Sequence, residues 1–522
     1  MAGANAWAAL QLGALLALPV IAVLWRLAWR PRVVARSFAS QGITGPPYAF
    51  LTGSFLELKR LAAAGRIGVP PLDAGSNDIM PLVLPAFHKW AADHGRTFLY
   101  WIGPTPAICS TDLQLIKQVL TDRTGLFQKD FMIPVLKFLL GNGLILINGE
   151  EWKRHQKVIR PAFNHEKLKS MSAVTKEVTE QRLKLWREQI LQSGDRQAAE
   201  IDVDGAMFEL SKEIICRVAF GTDHREADEV AFLLRELQKH ASAAMLDPPI
   251  LWYLPTRRNR QVRHVDKLLR TEIMAMMQAR VAAKDDKCGY GDDLLGMVLE
   301  AWSPDGRGSD VTLTTQEVIS EFKTFFGAGL ETTATLLVWI MFLLSIHPQW
   351  QEKVREEVLR EFGDGGEVVN TDNLSKLKLL HMVLLETLRL YPPVVYIQRT
   401  ADADVMLGSI KVPQGTVISI PIGMLHRDKE VWGPDADDFN PMRFENGISR
   451  AANDPNALLS FSLGPRACIG QSSGIIEAQI IMAMILRKFT FSLSPKYVHK
   501  PKYLLSLAPK CGMPLVFRNL DA

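Results

Sequence analysis

The chain has 522 residues, 48% of them hydrophobic, with mixed charge, a globular composition long enough for one large domain or two to four ordinary ones. Its 60 basic and 56 acidic side chains leave a net charge of +4, with no lysine- or arginine-rich block of the kind that tracks phosphate backbones, so nucleic acid is not an expected partner. The cysteines Cys109, Cys216, Cys288, Cys468 and Cys511 lie far apart without CxxC or HxxxH spacing, which excludes a disulfide framework and a zinc site as expectations and points to a reducing compartment.

In chain order, Ala6 to Trp25 is apolar apart from Gln11 and matches the roughly 20 residues that a bilayer core requires. It is read as a transmembrane anchor within residues 1–30. Arg26, Arg30, Arg32 and Arg36 follow, and no acidic residue precedes Glu57, so the positive-inside rule places everything downstream in the cytosol. A cleaved signal peptide would instead carry its charge before the apolar run. Residues 31–50, basic and with Gly42, Gly45, Pro46 and Pro47, are expected to be a stiff linker, and residues 51–522 one soluble body.

Within that body, Thr97 to Ser110 reads as two strands around a Gly-Pro turn and Ser409 to Ile422 as another hairpin. Helical period covers Glu166 to Gln192, Ala227 to Ala244, Arg260 to Ala283, Thr315 to Ser345, Pro348 to Phe362 and Gly474 to Phe489. The expected fold class is therefore mainly α with a small β portion, without internal repeats. The apolar loop Leu246 to Pro255, with Trp252 and Tyr253, suits either a membrane interface or ordinary packing.

The run from Glu317 to Ile346 is long enough for a second span, but Lys323 and Glu331 would then sit in lipid, so it reads as a buried core helix. Gly327 and Gly329 weaken its middle by about 1 kcal/mol each, and Glu331, Thr332 and Thr333 follow on an otherwise apolar element. Such a break suits either a kink with a back-bonded hydroxyl, or a place where a flat ligand approaches and a hydroxyl beside a carboxylate passes protons. In LLETLRLYPP, Glu386 and Arg389 share a helical face among leucines, which suggests a buried pair needing further partners, and Arg443 of FNPMRF is a candidate third. In FSLGPRACIG a lone Cys468 lies between Gly464 and Gly470. Alone it reads as a small buried hydrophobe, a nucleophile or a metal ligand.

Together these segments resemble the cytochromes P-450, the haem-thiolate monooxygenases. FSLGPRACIG matches the family's FxxGxRxCxG, ETLR its ExxR, FNPMRF its arginine-containing meander and AGLETT the oxygen-binding segment of its central helix. The wider texture is similar to a plant clan that includes gibberellin, cytokinin and brassinosteroid oxidases, secologanin synthase and fatty-acid hydroxylases. The resemblance implies that residues 51–522 are a haem-thiolate catalytic domain with haem b as cofactor. It implies Cys468 as axial iron ligand, Phe461 as its shield, Gly464 and Gly470 as turn residues, and Arg466, Arg399 and Trp152 as propionate partners. The basic residue usual four positions after that tryptophan is Gln156 here, with Lys157 beside it, which leaves the propionate contact from this helix open. Glu331 and Thr332 match the acid-alcohol pair that relays protons, and Glu386, Arg389 and Arg443 a structural hub.

Substrate contacts are expected from Lys129 to Ile133, including Phe131, and from Phe325, Phe326, Ala328, Val394, Val395, Leu504 and Leu505. The implied protein is a single-pass endoplasmic-reticulum monooxygenase facing the cytosol and acting on a hydrophobic small molecule. Electrons would come from NADPH-cytochrome reductase, with cytochrome b5 as a further candidate donor, and no Rossmann fingerprint occurs in the chain itself. Lys153, Arg154, Lys157, Arg160, Arg487 and Lys488 form a candidate basic docking face. Isomerisation or dehydration of peroxides without a reductase, and non-catalytic haem binding, are the alternatives.

Overall fold

The computed structural model describes residues 17–520 except 67–69, 131–134, 195–196, 222–223, 245–246, 248, 285–288, 292, 303–311 and 364–370. Residues 6–16 of the expected anchor, together with Phe131 and Cys288, lie outside the described residues. Residues 17–24 are helical, and the helix continues as a π turn over Trp25–Trp29 into α1 (Arg30–Ala39). Leu18, Val20, Ile21, Val23, Leu24, Trp25 and Trp29 are all exposed along it.

The expected linker is thus helical in its first half. Its second half is docked rather than free, because the Leu99 amide donates to the Thr44 carbonyl (2.9 Å), the Gln41 side chain accepts from the Lys411 amide (2.7 Å), and the Tyr48 hydroxyl donates to the Leu27 carbonyl (2.6 Å).

Among the described residues, the helices that surround the site are α2 (Gly149–Ile159), α3 (His165–Gln192), α4 (Val203–Phe220), α5 (His224–Ala244), α6 (Arg257–Ala282), α7 (Thr315–Ile346), α8 (Pro348–Phe362), α9 (Lys378–Leu390) and α10 (Gln471–Lys488). Strands β1 (Thr97–Ile102) and β2 (Thr105–Ser110) form the expected hairpin, with Phe98 opposite Cys109. Beside β3 (Phe127–Gln128), β5 (Ile397–Ala401) and β8 (Val417–Ile420) they build a five-stranded sheet ordered β1-β2-β8-β5-β3. β4 (Ala198–Asp202) and β9 (Phe489–Leu493) flank the C-terminal β12 (Pro514–Asn519), and β10 (Pro501–Tyr503) pairs with β11 (Leu507–Pro509).

The second expected hairpin is different from the sequence reading. β6 (Val405–Leu407) pairs with β7 (Ile410–Val412), while Val417–Ile420 lies parallel to β2 and antiparallel to β5. All four residues of β8 are buried, so the strand is covered on both faces and belongs at the sheet centre rather than in an exposed ribbon.

Helix α7 fixes the centre of the molecule. Thr314 caps it through a capping box with Glu317, satisfying free amides at its start. It is long and apolar enough to cross a membrane by length and composition, but 78% of its apolar window is buried inside the protein, as a core helix should be. Its first half, to Leu330, packs in one apolar cluster with α4, α5 and α6, and its second half, from Ala334, in another with α9, α10 and the sheet. The two cores meet at Glu331 to Thr333. Polar residues sit there because that is where packing gives way to a cavity. The helix runs unbroken through Gly327 and Gly329, and a Cβ on Gly329 would lie 3.0 Å from Ile215 Cδ1 of α4, so that glycine serves close helix packing.

In the Leu246 to Pro255 loop, Trp252 packs edge-on against Phe55 with ring centroids 5.6 Å apart. Ordinary packing thus accounts for Trp252, while Tyr253 stays 71% exposed and Leu254 is exposed as well.

Candidate active site

Cys468 lies in a loop held by its own backbone. Its amide donates to the Phe461 carbonyl (2.9 Å), the Ser462 amide to the Leu459 carbonyl (2.8 Å), and a short 3-10 turn covers Gly464–Arg466. Gly464 has φ +70°, and a Cβ there would stand 2.3 Å from the Leu120 carbonyl oxygen, so the turn demands glycine. Gly470 does not share that reason. Its φ is −89°, it precedes α10 as N-cap, and a Cβ would meet the Phe163 ring at an ordinary 3.8 Å.

Cys468 is accessible yet enclosed, because its exposed surface belongs to a cavity of about 390 Å³. Burial raises the thiol pKa; the Gly470 amide and then Lys129 pull the other way. The start of α10 therefore offsets only part of what enclosure costs a thiolate.

Trp152, Gln156, Phe325, Ala328, Thr332, Val394, Phe461, Arg466 and Gly470 share this cavity with Cys468. A second space of about 260 Å³ adjoins it across Lys129, Ala328, Thr332, Val394 and Arg466, and reaches Phe326, Glu331, Leu504 and Leu505. Val395 lies elsewhere than expected. It is fully buried in the core against Gly423, whose amide donates to its carbonyl (2.9 Å) and where an added Cβ would lie 3.5 Å from Val395 Cβ. Gln156 faces the cavity, whereas Lys157 is exposed outside it.

Three cations meet at one edge. Arg466 donates to the carbonyls of Leu144 (3.2 Å) and Ile147 (2.9 Å) and to Asn148 Oδ1 (3.3 Å), and its guanidinium lies 4.7 Å from the Trp152 ring centroid. Arg399, on β5 and 3% exposed, donates to the Gln398 carbonyl (2.8 Å). Burial lowers both guanidiniums to about 10, Arg466 with a further contribution from Arg399, and burial followed by Arg399 and Arg466 pushes the Lys129 ammonium well below its ordinary value.

On α7 the Thr332 hydroxyl donates to the Ala328 carbonyl (2.7 Å), so the back-bonded hydroxyl and the cavity-lining hydroxyl are the same group. Its oxygen remains free to accept. The Glu331 carboxylate turns instead toward α5, accepting from Gln238 Nε2 (2.6 Å) and from Ser506 Oγ (2.9 Å), and burial raises its pKa against those bonds. The acid and the alcohol thus both line the second space, and of the two only the alcohol also lines the space that holds Cys468.

Beneath the cysteine loop lies the polar hub. Arg389 Nε and Nη2 each donate to a Glu386 carboxylate oxygen at 2.7 Å, with both residues fully buried. The rest of the guanidinium donates to the carbonyls of His426 (2.8 Å), Ala436 and Asp438 (3.0 Å), and the Asn440 amide donates to Glu386 (2.9 Å). Arg443 stands 3.7 Å from Glu386, and its closer partner is Asp435 at 2.8 Å.

Sequence reading missed His426, which joins hub to loop. Its Nδ1 donates to the Arg389 carbonyl (3.0 Å) and its Nε2 accepts from the Leu459 amide (2.9 Å). Ser460 Oγ adds a bond to the Leu388 carbonyl (2.8 Å). The only sequence signal was the histidine of HRDKEVW just upstream of the meander.

This arrangement sets a pH response. Burial holds His426 down at about 3 and His499 at about 4, from an ordinary 6.5. The folded protein keeps both neutral while the unfolded chain protonates them, so their stability is present above about pH 6.5 and is lost as pH falls toward the folded values. Each group contributes up to about 1.4 kcal/mol per pH unit in that window. Glu477, which burial raises to about 8, and Asp204, raised to about 6, have the opposite slope across this window, so the histidine contribution is read as a difference. The gap in unfolding midpoint between wild type and His426→Asn is expected to narrow as pH is lowered below 6.5, and a gap independent of pH would contradict the neutral-histidine assignment.

A family model described as Cytochrome P450 matches residues 82–513, and the chain belongs to that family. It is 40% identical over 500 residues to Cytochrome P450 709B1 of Arabidopsis thaliana, covering 95% of each chain. It is 39% identical over 513 residues to Cytochrome P450 734A6 of Oryza sativa subsp. japonica, covering 96% of this chain and 94% of the other. Secologanin synthase 2 of Catharanthus roseus is 36% identical over 514 residues, with 96% of each chain covered.

The protein is accordingly a monooxygenase of the haem-thiolate kind, a family that works with NADPH-cytochrome P450 reductase on small molecules. The site fits thiolate-ligated haem b: among the described residues the cavity offers one thiol, and Lys129, Arg399 and Arg466, none with a carboxylate in ion-pair distance, meet at the edge of the adjoining space, where a macrocycle bearing carboxylates would place its negative charge.

Proposed function

We propose that this chain is a membrane-anchored hydroxylase that inserts one oxygen atom from O2 into a hydrophobic small molecule of fatty-acid or isoprenoid type. Electrons would come from NADPH through the flavoprotein reductase, with cytochrome b5 as a further donor. The observation that carries this reading is the juxtaposition of Cys468, Thr332 and an apolar wall in one cavity with a cationic edge. The haem held there would supply oxygen activation, with thiolate donation favouring O–O cleavage.

The chain's own residues would do the rest. Phe461 excludes water from the sulfur, and Arg399, Arg466 and Trp152 orient the cofactor by its edge. Phe325, Phe326, Ala328, Val394 and Leu504 hold an apolar substrate close to the reacting face. Thr332 Oγ1 accepts a hydrogen bond from a donor in the cavity and passes protons, with Glu331 as the acid that recharges it once it leaves Gln238 and Ser506.

Exposed apolar side chains from Leu18 to Trp29, and Tyr253 with Leu254, support a lipid contact with the catalytic body on the cytosolic side of the endoplasmic reticulum. For reductase docking the basic face narrows. Arg154 is committed to Glu317 and the Thr312 carbonyl, while Lys153, Lys157 and Arg160 stay exposed on and beside α2.

Microsomes containing reductase, screened with fatty acids and isoprenoids, test the reading. Product requiring both NADPH and O2 is expected, and turnover of a hydroperoxide alone, with no reductase, would replace it with isomerase or dehydratase chemistry. Thr332→Ala is expected to leave NADPH consumption largely intact while product yield falls on the order of tenfold and peroxide is released, the scale of a lost proton-transfer group. Coupling equal to wild type would remove Thr332 from the relay.

A further inference from the structure

Helix α2 brings an uncharged side chain, Gln156, to the cavity wall, and its neighbour Lys157 points outside. The cationic edge is nevertheless well supplied, because a third positive charge arrives from a different element. Lys129 follows directly on β3, and its side chain lines both spaces together with Arg466.

Its backbone is clamped on both sides. The Lys129 amide donates to Asn148 Oδ1 (2.9 Å), and Asn148 Nδ2 donates to the Lys129 carbonyl (3.0 Å). The same Oδ1 accepts from Arg466 Nη1 (3.3 Å), so Asn148, the residue before α2, couples the lysine to the arginine. One residue further, the Thr400 hydroxyl donates to the Asp130 carbonyl (3.4 Å), which ties the segment to β5 beside Arg399.

Among the described residues, none of Lys129, Arg399 and Arg466 has a carboxylate within ion-pair distance, although most other buried cations do: Arg389 has Glu386 and Lys323 has Asp266. Three enclosed like charges with no carboxylate partner, of which only Lys129 feels the Cys468 thiolate, repel one another and lose hydration, a cost that an anion in their midst would offset. Surface placement would have been cheaper for a lysine with no partner. The clamp on its backbone holds it in the cavity instead.

We infer that Lys129 is a positioning residue that pairs with a haem propionate, supplying from the end of β3 the positive charge that α2 lacks at Gln156. The inference rests on the haem-thiolate reading of the site and adds one residue to it. The ammonium, a compact charge on a flexible stem, needs no fork geometry and tolerates a small shift of the carboxylate.

The test uses the holoprotein and needs no substrate. Haem transfer to excess apomyoglobin and the reduction potential are measured for wild type, Lys129→Gln, Lys129→Arg and Lys129→Gln/Gln156→Arg. Haem loss is expected to accelerate on the order of tenfold in Lys129→Gln, the scale of one lost charge-assisted contact, with a lower potential because a cation near the iron is gone. Lys129→Arg should stay near wild type, and Gln156→Arg should restore retention in the Lys129→Gln background.

Wild-type haem loss and potential in Lys129→Gln would overturn the inference. If Lys129→Gln accumulates no holoprotein, the double variant decides: recovery supports propionate pairing, and no recovery overturns it. A wild-type protein without the red-shifted Soret band would instead sink the haem-thiolate reading itself, so the two failures are distinguishable.

Discussion

Cys468→Ala is expected to abolish the red-shifted Soret band of the reduced, carbon monoxide-treated protein. Cys468 offers the one thiol among the described cavity-lining residues, and the other sulfur there, the Met171 thioether, accepts from Ser473 Oγ at 3.7 Å. An alanine leaves the loop's backbone bonds in place, since the contact to the Phe461 carbonyl uses the amide and not the side chain. The fold should therefore survive while the spectrum changes. Folded Cys468→Ala protein that retained the band would place the iron ligand elsewhere.

Arg389→Ala has the larger expected effect on stability. It leaves the Glu386 carboxylate fully buried with only the Asn440 amide within hydrogen-bond distance and Arg443 at 3.7 Å, and it strands the carbonyls of His426, Ala436 and Asp438. Breaking a buried ion pair from one side costs about 3–5 kcal/mol, and stranded buried acceptors add about 1–3 kcal/mol each. Against a typical total of about 5–15 kcal/mol, that removes most or all of the folded state's margin.

Arg389→Lys should rescue little, because a single ammonium cannot serve a bidentate carboxylate and three carbonyls at once. The measurement is the yield of holoprotein and its urea midpoint. A midpoint within experimental error of wild type would show that the hub does not hold the cysteine loop.

The long helices were legible because apolar residues recur at helical spacing through α3, α5, α6, α7, α8 and α10, with ends misplaced by a few residues at most. The hub was legible because two opposite charges three positions apart among leucines have to be satisfied together. What escaped were features set by residues distant in sequence. Val417–Ile420 carries no mark of its partners, since a strand buried on both faces is uniformly apolar and fits a hairpin as well as a sheet centre.

Within the site, Val394 lines the cavity while its neighbour Val395 packs in the core against Gly423, a division that two adjacent valines do not announce in sequence. Helix α1 was read as linker because its arginines and proline hide an apolar stripe, Val34 and Phe38, that packs on the body. Lys129 and His426 matter through bonds to Asn148, Arg389 and Leu459, which no local pattern encodes. The Glu331 carboxylate turns to Gln238 and Ser506 for the same kind of reason: its partners come from α5 and the segment between β10 and β11.

The most direct measurement is the mass of the product formed under isotopically labelled dioxygen, with reductase and NADPH supplied. One labelled oxygen atom per product molecule is expected, with none acquired from labelled water. Product formed without incorporation of the label, or at an undiminished rate with NADPH withheld, would contradict insertion of dioxygen-derived oxygen into a substrate held in the Cys468 cavity.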